Sequence, residues 1–177
     1  KKTEEFSVFL RVPGWCSKAK IITPEEEIDK IKPGSFLEVH RVWNWGDVIK
    51  LLMRMEPEYL VSHPYVSYNT CRVTIRRGPL IYCLEQADNL SYDVWNIAVL
   101  TENRLSIKKR NDLFDGIVVI KGEALYMDLS LWKDKLYARH NEISIPIKDI
   151  KFTAIPYFLW ANRERGPMIV WLRKYTA

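Results

Sequence analysis

The chain has 177 residues, 47% of them hydrophobic and 28% charged, with 27 Lys and Arg against 22 Asp and Glu for a formal net charge of +5. Such a chain is globular and long enough to bury a core in one domain or two small ones. No apolar run approaches the roughly 20 residues of a membrane-spanning helix. The basic residues are interspersed with acids, and the densest run, Lys108-Lys109-Arg110, is followed at once by Asn111-Asp112, so a nucleic-acid surface is not expected.

The chain opens without an initiator Met or a signal-peptide pattern and enters a strand almost immediately, as the middle of a longer protein would. Phe6, Val8, Leu10 and Val12 alternate against Ser7 and Arg11, the period of a half-buried strand, and Pro13-Gly14 ends it. After a short apolar stretch at 20–22, residues 23–34 are polar and read as a long hairpin connection, in which Pro24 and the glutamates behind it could start one helical turn. Leu37 and Val39 then alternate with Glu38 and His40, Trp43-Asn44-Trp45-Gly46-Asp47 supplies a turn, and a strand follows over 48–55.

Pro57 marks a domain boundary, and beyond it strands recur at short spacing: 59–62, 72–76, 80–84, 97–101, 105–108, 117–121, 125–129, 143–147 and 151–155, with a last pair near 158–161 and 168–173. No stretch of helical period competes with them, so the expected class is all-β, built as sandwiches.

Three cysteines, Cys16, Cys71 and Cys83, have neither the even count of a disulfide framework nor the spacing of a zinc site. They read as free thiols, which mildly favours a reducing compartment. His40, His63 and His140 are far apart and form no triad or ligand pattern; His40 is expected on a solvated strand face, His63 in a structural hydrogen bond, and His140 in a loop. Glu85 with Asp88, and Asp112 with Asp115, are carboxylate pairs of the kind glycoside hydrolysis uses, but acids this close at strand ends are expected to be solvated. Asn89-Leu90-Ser91 fits a glycosylation sequon. Seven Trp and nine Tyr are many for this length. Trp15, Trp43, Trp45, Tyr65, Tyr68 and Trp160 lie in or beside turns, where they plug sandwich ends, dock on another domain, or present a platform for sugars.

The most specific stretch is Arg76-Arg77-Gly78-Pro79-Leu80-Ile81-Tyr82-Cys83-Leu84-Glu85, a charged pair, a turn, an apolar strand and an acidic exit. Together with Phe6 to Cys16 ("F-S-L-x-L-R-I-P-G-W-C"), Trp43 to Asp47 ("W-x-x-G-D") and Ala154 to Arg163 ("A-I-P-Y-Y-A-W-A-N-R"), it resembles in order the β-L-arabinofuranosidase family, glycoside hydrolase family 127 and relatives. The resemblance implies the C-terminal region of a longer enzyme: two jelly-roll-like β-sandwiches, one inserted in the other, behind an (α/α)6 barrel that holds a nucleophilic cysteine, a glutamate and a zinc ion. On that pattern residues 1–57 plus 157–177 form the first sandwich, short of its first strand, and 58–156 the inserted one. No catalytic, cofactor-binding or metal-ligating residue of the family maps onto this chain. Trp15, Arg77, Gly78, Pro79 and Trp160 map as structural motif residues, with Arg77 expected to pair beside its turn and Trp15 and Trp160 to fill sandwich ends. Cys71 stands where a small residue such as Gly is expected. The implied partners are the barrel of the same polypeptide and plant-type glycans, and Trp43 with Trp45 are the candidate sugar contacts.

Overall fold

The structure is a computed structural model and describes residues 3–139 and 141–175; His140 lies outside them. Two compact units divide between Glu56 and Pro57. Both are all-β, and among the described residues helix is limited to single 3-10 turns.

The first unit holds β1 (Glu4–Val12), β2 (Ala19–Ile22), β3 (Glu27–Ile28), β4 (Ser35–Trp43) and β5 (Lys50–Met53). β1 pairs antiparallel with β4 over its whole length, while β2 lies between β3 and β5 in a separate sheet. The alternation seen in the sequence sets the face of β1: Val12 is fully buried with Cys16 and Ala19, and Trp15, Ile31 and Leu51 pack around them. Burial fades along the strand, and Phe6 at its far end is 45% exposed. In place of a helical turn after Pro24, the Thr23 hydroxyl accepts the Glu25 and Glu26 amides at 3.3 and 3.0 Å, closing a bend that leads into β3.

The second unit holds β6 (Pro57–Leu60), β7 (Arg72–Arg77), β8 (Leu80–Glu85), β9 (Ile97–Val99), β10 (Ser106–Arg110), β11 (Ile117–Met127), β12 (Ile147–Pro156), β13 (Met168–Ile169) and β14 (Leu172–Lys174). Followed from strand to strand, the pairings β7–β8–β12–β11–β9–β14–β7 return to their start, so the sheet closes on itself. Its interior is filled from every side: Val73 and Ile75 of β7, Tyr82 and Leu84 of β8, Ile97 and Val99 of β9, Ile120 and Ala124 of β11, and Phe152 and Ala154 of β12 form one cluster.

Residues 157–175 do not return to the first unit. β13 pairs with β8 (Ile169 to Leu84) and β14 with β7 (Leu172 to Val73), and both apolar side chains are buried in the second unit's core. The division into a discontinuous first sandwich and an insertion is therefore corrected: burial of Ile169 and Leu172 fixes the last strands in the second unit. The segment at 158–161 is also not a strand, since Tyr157–Leu159 forms a 3-10 turn after Pro156. Residues 143–146 lie outside β12, which begins at Ile147.

The two strands expected at 117–121 and 125–129 are one, running through Gly122. This glycine does not break the strand; it makes room. Phe152 sits opposite it in the ladder, and a Cβ at 122 would lie 2.5 Å from the Phe152 ring and 3.0 Å from Leu105. Phe152 is 1% exposed and cannot swing aside. Gly122→Ala is expected to cost about 1–3 kcal/mol, the usual penalty of overpacking, read as a lower urea midpoint, with Phe152→Leu in the same chain recovering most of it. An unchanged midpoint in the single variant would show that the ring has slack.

Candidate functional site

The closed sheet brings together the two most specific stretches of the sequence. Along β8, Tyr82 and Leu84 face the interior, so Cys83 and Glu85 face the other way, onto a smaller cluster with Ile117, Val119 and Ile155 that Leu113, Leu159, Met168 and Val170 cover. Glu85 lies beneath that cover, 2% exposed. Arg163 reaches it from the segment after β12: one guanidinium nitrogen donates to Glu85 Oε2 and Asp88 Oδ2, both at 2.5 Å, and the other to Asp88 Oδ1 at 2.9 Å. The Ala161 amide donates to the remaining Glu85 oxygen at 3.0 Å, from a residue with φ of 62°. The Phe114 ring lies 5.7 Å from the guanidinium carbon.

A second set of bonds fixes the same corner. The Asn89 amide donates to the carbonyls of Glu85 and Thr153, and its carbonyl accepts the Thr153 amide, so the side chain acts as a short strand partner for β12. Gln86 bonds the Asn89 and Tyr92 carbonyls and accepts the Val94 amide. Gly166 passes so close to Gln86 that a Cβ would come within 2.9 Å of it.

The expectation of solvated acids is thus corrected for Glu85 and Asp88: both side chains are buried, because a single arginine serves the two in a charge-assisted, fork-shaped contact that leaves one net negative charge. Hydrogen bonds to Asp88 and Glu85 push the Arg163 guanidinium upward, so it stays charged at any working pH. Glu85 borders a cleft of about 160 Å³ with Trp160 and Arg163, but Asp88 does not line it, so the two acids do not flank a space for a glycosidic bond. The sequon is corrected likewise, since Asn89 is buried and its amide nitrogen is already donating twice.

Burial, reinforced by Glu85 and Asp88, pushes the Cys83 thiol up to about 12, whereas Cys71 is exposed. A maleimide at neutral pH should therefore label Cys71 in the folded chain and spare Cys83, as read by peptide mass spectrometry; rapid labelling of Cys83 would contradict the packing of β8. Cys71 also has a φ of 55°, the left-handed region where glycine is at ease.

The other candidates lie apart from this corner. Asp112 is exposed and chelated by Arg110, whose hydrogen bonds hold its carboxyl down to about 2; Asp115, with φ of 57°, belongs to the adjoining turn. The β1–β4 register places Ser7 opposite His40, with Ser7 Oγ 2.9 Å from His40 Nδ1, while His40 Nε2 lies 3.3 Å from Glu5. This looks like a triad in its order of atoms only: the group stands on an open strand face, and the Ser7 hydroxyl donates to Glu38 at 2.6 Å. His63 accepts the Tyr65 amide and meets the Tyr65 ring edge-on.

In the Trp43–Asp47 turn, Asp47 accepts the Asn44 amide and faces Arg41. Trp43 is occupied, stacked on Phe6 at 5.4 Å, contacted by the Arg41 guanidinium at 4.8 Å, and donating to the Phe6 carbonyl. Trp45, in contrast, stands 80% exposed. Trp15 packs against the first unit's core, but Trp160 is 40% exposed and stacks only on Tyr157, so it does not fill a sandwich end. Gly78, with φ of 59°, and Pro79 turn β7 into β8. It is Arg76 that takes an acid partner near that turn, Glu58 at 2.6 Å, while Arg77 sits beside the Tyr82 hydroxyl.

Among the described residues no group of three His, Cys, Asp or Glu side chains converges as a metal site. A groove of 570 Å³ is lined by Tyr92, Asn103, Glu123, Asp149 and Lys151 over a floor of Leu100, Ala124 and Ile150.

These observations define a pair of all-β units, the second of which carries a buried, ion-paired structural corner beneath the strand that follows an Arg-Gly-Pro turn. Residues 1–55 match the family model described as the β-L-arabinofuranosidase GH127 middle domain, and residues 57–173 match the glycoside hydrolase family 127 C-terminal domain. The chain belongs to glycoside hydrolase family 127. It is 28% identical, over 93% of its length, to a non-reducing end β-L-arabinofuranosidase of Bifidobacterium longum subsp. longum, of which it spans 25%. A crystal structure of a GH127 β-L-arabinofuranosidase from Geobacillus stearothermophilus T6 superposes with a TM-score of 0.86 at 37% identity, covering 99% of this chain and 27% of that one. A solved glycoside hydrolase is similar at 32% identity and a TM-score of 0.86, covering 97% of this chain and 28% of its own. The chain thus spans about a quarter of the length of each of these relatives.

Proposed function

We propose that the chain is a non-catalytic C-terminal region of a longer glycoside hydrolase acting on L-arabinofuranosides or related plant-type glycans, and that its task is to brace an upstream (α/α)6 catalytic barrel. The observation that carries this reading is the corner at Arg163: the buried acids Glu85 and Asp88 are both committed to one arginine and serve as structure. Zinc and the cysteine and glutamate that work with it belong, in this reading, to the barrel. The match to a "middle" and a "C-terminal" domain of a family whose members are about four times longer agrees with it. The test is an assay with a chromogenic β-L-arabinofuranoside. The long polypeptide should release the chromophore, the present chain alone should not, and Arg163→Met in the long form should lower its melting temperature with KM unchanged. Turnover by the present chain alone would sink the reading.

One observation favours a second role beside it. Trp45 is presented at the tip of a turn that Asn44 and Asp47 hold rigid, as a sugar-stacking ring requires. Calorimetric titration with arabino-oligosaccharides should then give saturable heat that Trp45→Ala abolishes; no heat at millimolar ligand would leave bracing as the sole role.

A further inference from the structure

The connection from β6 to β7 presents a surface that the second unit itself does not use. Val61 is 75% exposed, Tyr65 92%, Val66 44% and Tyr68 93%. The loop is nonetheless tightly built. His63 accepts the Tyr65 amide at its ring nitrogen and the Val66 amide at its carbonyl; Asn69 donates to Val66, Thr70 bonds Ser67 through both amide and hydroxyl, and the Lys174 amide anchors the Cys71 carbonyl. Pro64 removes a further degree of freedom. Two tyrosines and two valines are thus held out in water by a framework that keeps them from folding back onto the core.

Composition separates this loop from most of the other exposed apolar groups, the shorter uncharged run at 152–162 with Phe158 and Trp160 apart. From Tyr59 to Cys71 there is no Asp, Glu, Lys or Arg, the longest such run in a chain with 28% charged residues. Phe9 and Phe36 share their strand face with Glu38, Arg11 and His40, and Leu136 and Tyr137 sit among Lys133, Asp134, Lys135 and Arg139, so solvation of those patches is built in. Depletion of charge with enrichment of Tyr, flanked by Ser, Asn and Thr, is the composition of an interface core. A loop already fixed by its own hydrogen bonds loses little entropy on docking.

We propose that the 61–68 loop is the surface by which the second unit docks onto the part of its own polypeptide that lies ahead of the first unit, with Tyr65 and Tyr68 as anchors. This rests on the reading that the chain is the C-terminal region of a longer enzyme. The occupant is argued from the matched family domains, of which the first is a middle domain, and from the three quarters of each relative's length that lie outside the match. No charged partner is called for; the complementary patch is apolar, with amide or hydroxyl groups for the two phenols.

Hydroxyl-radical footprinting of the full-length polypeptide tests it, each side chain's oxidation rate being normalised to its rate in guanidinium chloride. Tyr65 and Tyr68 should oxidise about tenfold more slowly than when unfolded, as buried interface residues do, while Tyr137, which is 90% exposed, should oxidise at nearly the unfolded rate. Protection should survive tenfold dilution, and Tyr65→Ser with Tyr68→Ser should restore fast oxidation of Val61 and Val66. If the tyrosines stay fast while Phe9 and Phe36 are protected, bracing stands and this assignment of its surface falls. If none of the four aromatics is protected, both fall. Protection lost on dilution would give the loop to a second copy of the chain and overturn the proposal.

Discussion

Arg163→Met is expected to destabilise the second unit by about 3–5 kcal/mol, the cost of leaving buried charge without its partner. The substitution keeps much of the side chain's apolar length over Phe114 but removes, among the described residues, the one cation that ion-pairs with Glu85 and Asp88, whose side chains are 3% and 6% exposed. Those two carboxylates would then lie close together in a poorly solvated corner, with Glu85 holding only the Ala161 amide. The penalty is a charge effect, so Glu85→Gln and Asp88→Asn added to Arg163→Met should recover a large part of it, while Arg163→Lys should not, because one ammonium cannot replace the forked contacts. Urea denaturation of the three variants checks this. A loss below about 1 kcal/mol in the single variant would mean that water reaches the corner and screens it.

Asn89→Leu is the other large effect, about 3 kcal/mol, because it strands the Glu85 carbonyl and both backbone groups of Thr153, each costing about 1 kcal/mol or more when unpaired. Leu is the sharper probe because Ala at this position would leave room for a water to replace the amide. Asn89→Asp should be comparably severe, since a carboxylate cannot donate to the two carbonyls and adds a negative charge beside Glu85. Hydrogen exchange localises the damage: the Thr153 amide, bonded to Asn89, should lose its protection first. If it does not, the amide side chain is not the strand partner its geometry makes it.

How much of this was legible in the sequence follows the range of each interaction. Alternation along Phe6, Val8, Leu10 and Val12, and again along Tyr82 and Leu84, reports which face of a strand is apolar, because that property is local. The resemblance carried by Arg77-Gly78-Pro79 and its companion blocks likewise identified the family. What was hidden depends on which distant segment faces which. Arg163 is 78 residues from Glu85, and no spacing rule singles it out among the 27 basic residues, so the acids looked solvated. Ser7 and His40 meet only through the register of β1 and β4. Gly122 reads locally as a breaker, and only the ring of Phe152 across the ladder explains why it stands inside a strand. The last strands depart from the domain pattern that the resemblance implies, and the residues that hold them are a pair of apolar side chains, Ile169 and Leu172, that fill the core beside them.

Closure of the second sheet sets the order in which the unit can be made. The strand that joins β7 to β9 is β14, and the Arg72 side chain bonds the Trp171 carbonyl across 99 residues of chain. During synthesis every other strand of the ring emerges before the one that seals it, so the start of β7 and one edge of β9 wait unpaired until β14 arrives. Pairing at such separation is slow, and open edges in that interval invite association with other chains. The unit is thus most vulnerable between the emergence of β9 and that of β14, when its ring is still open.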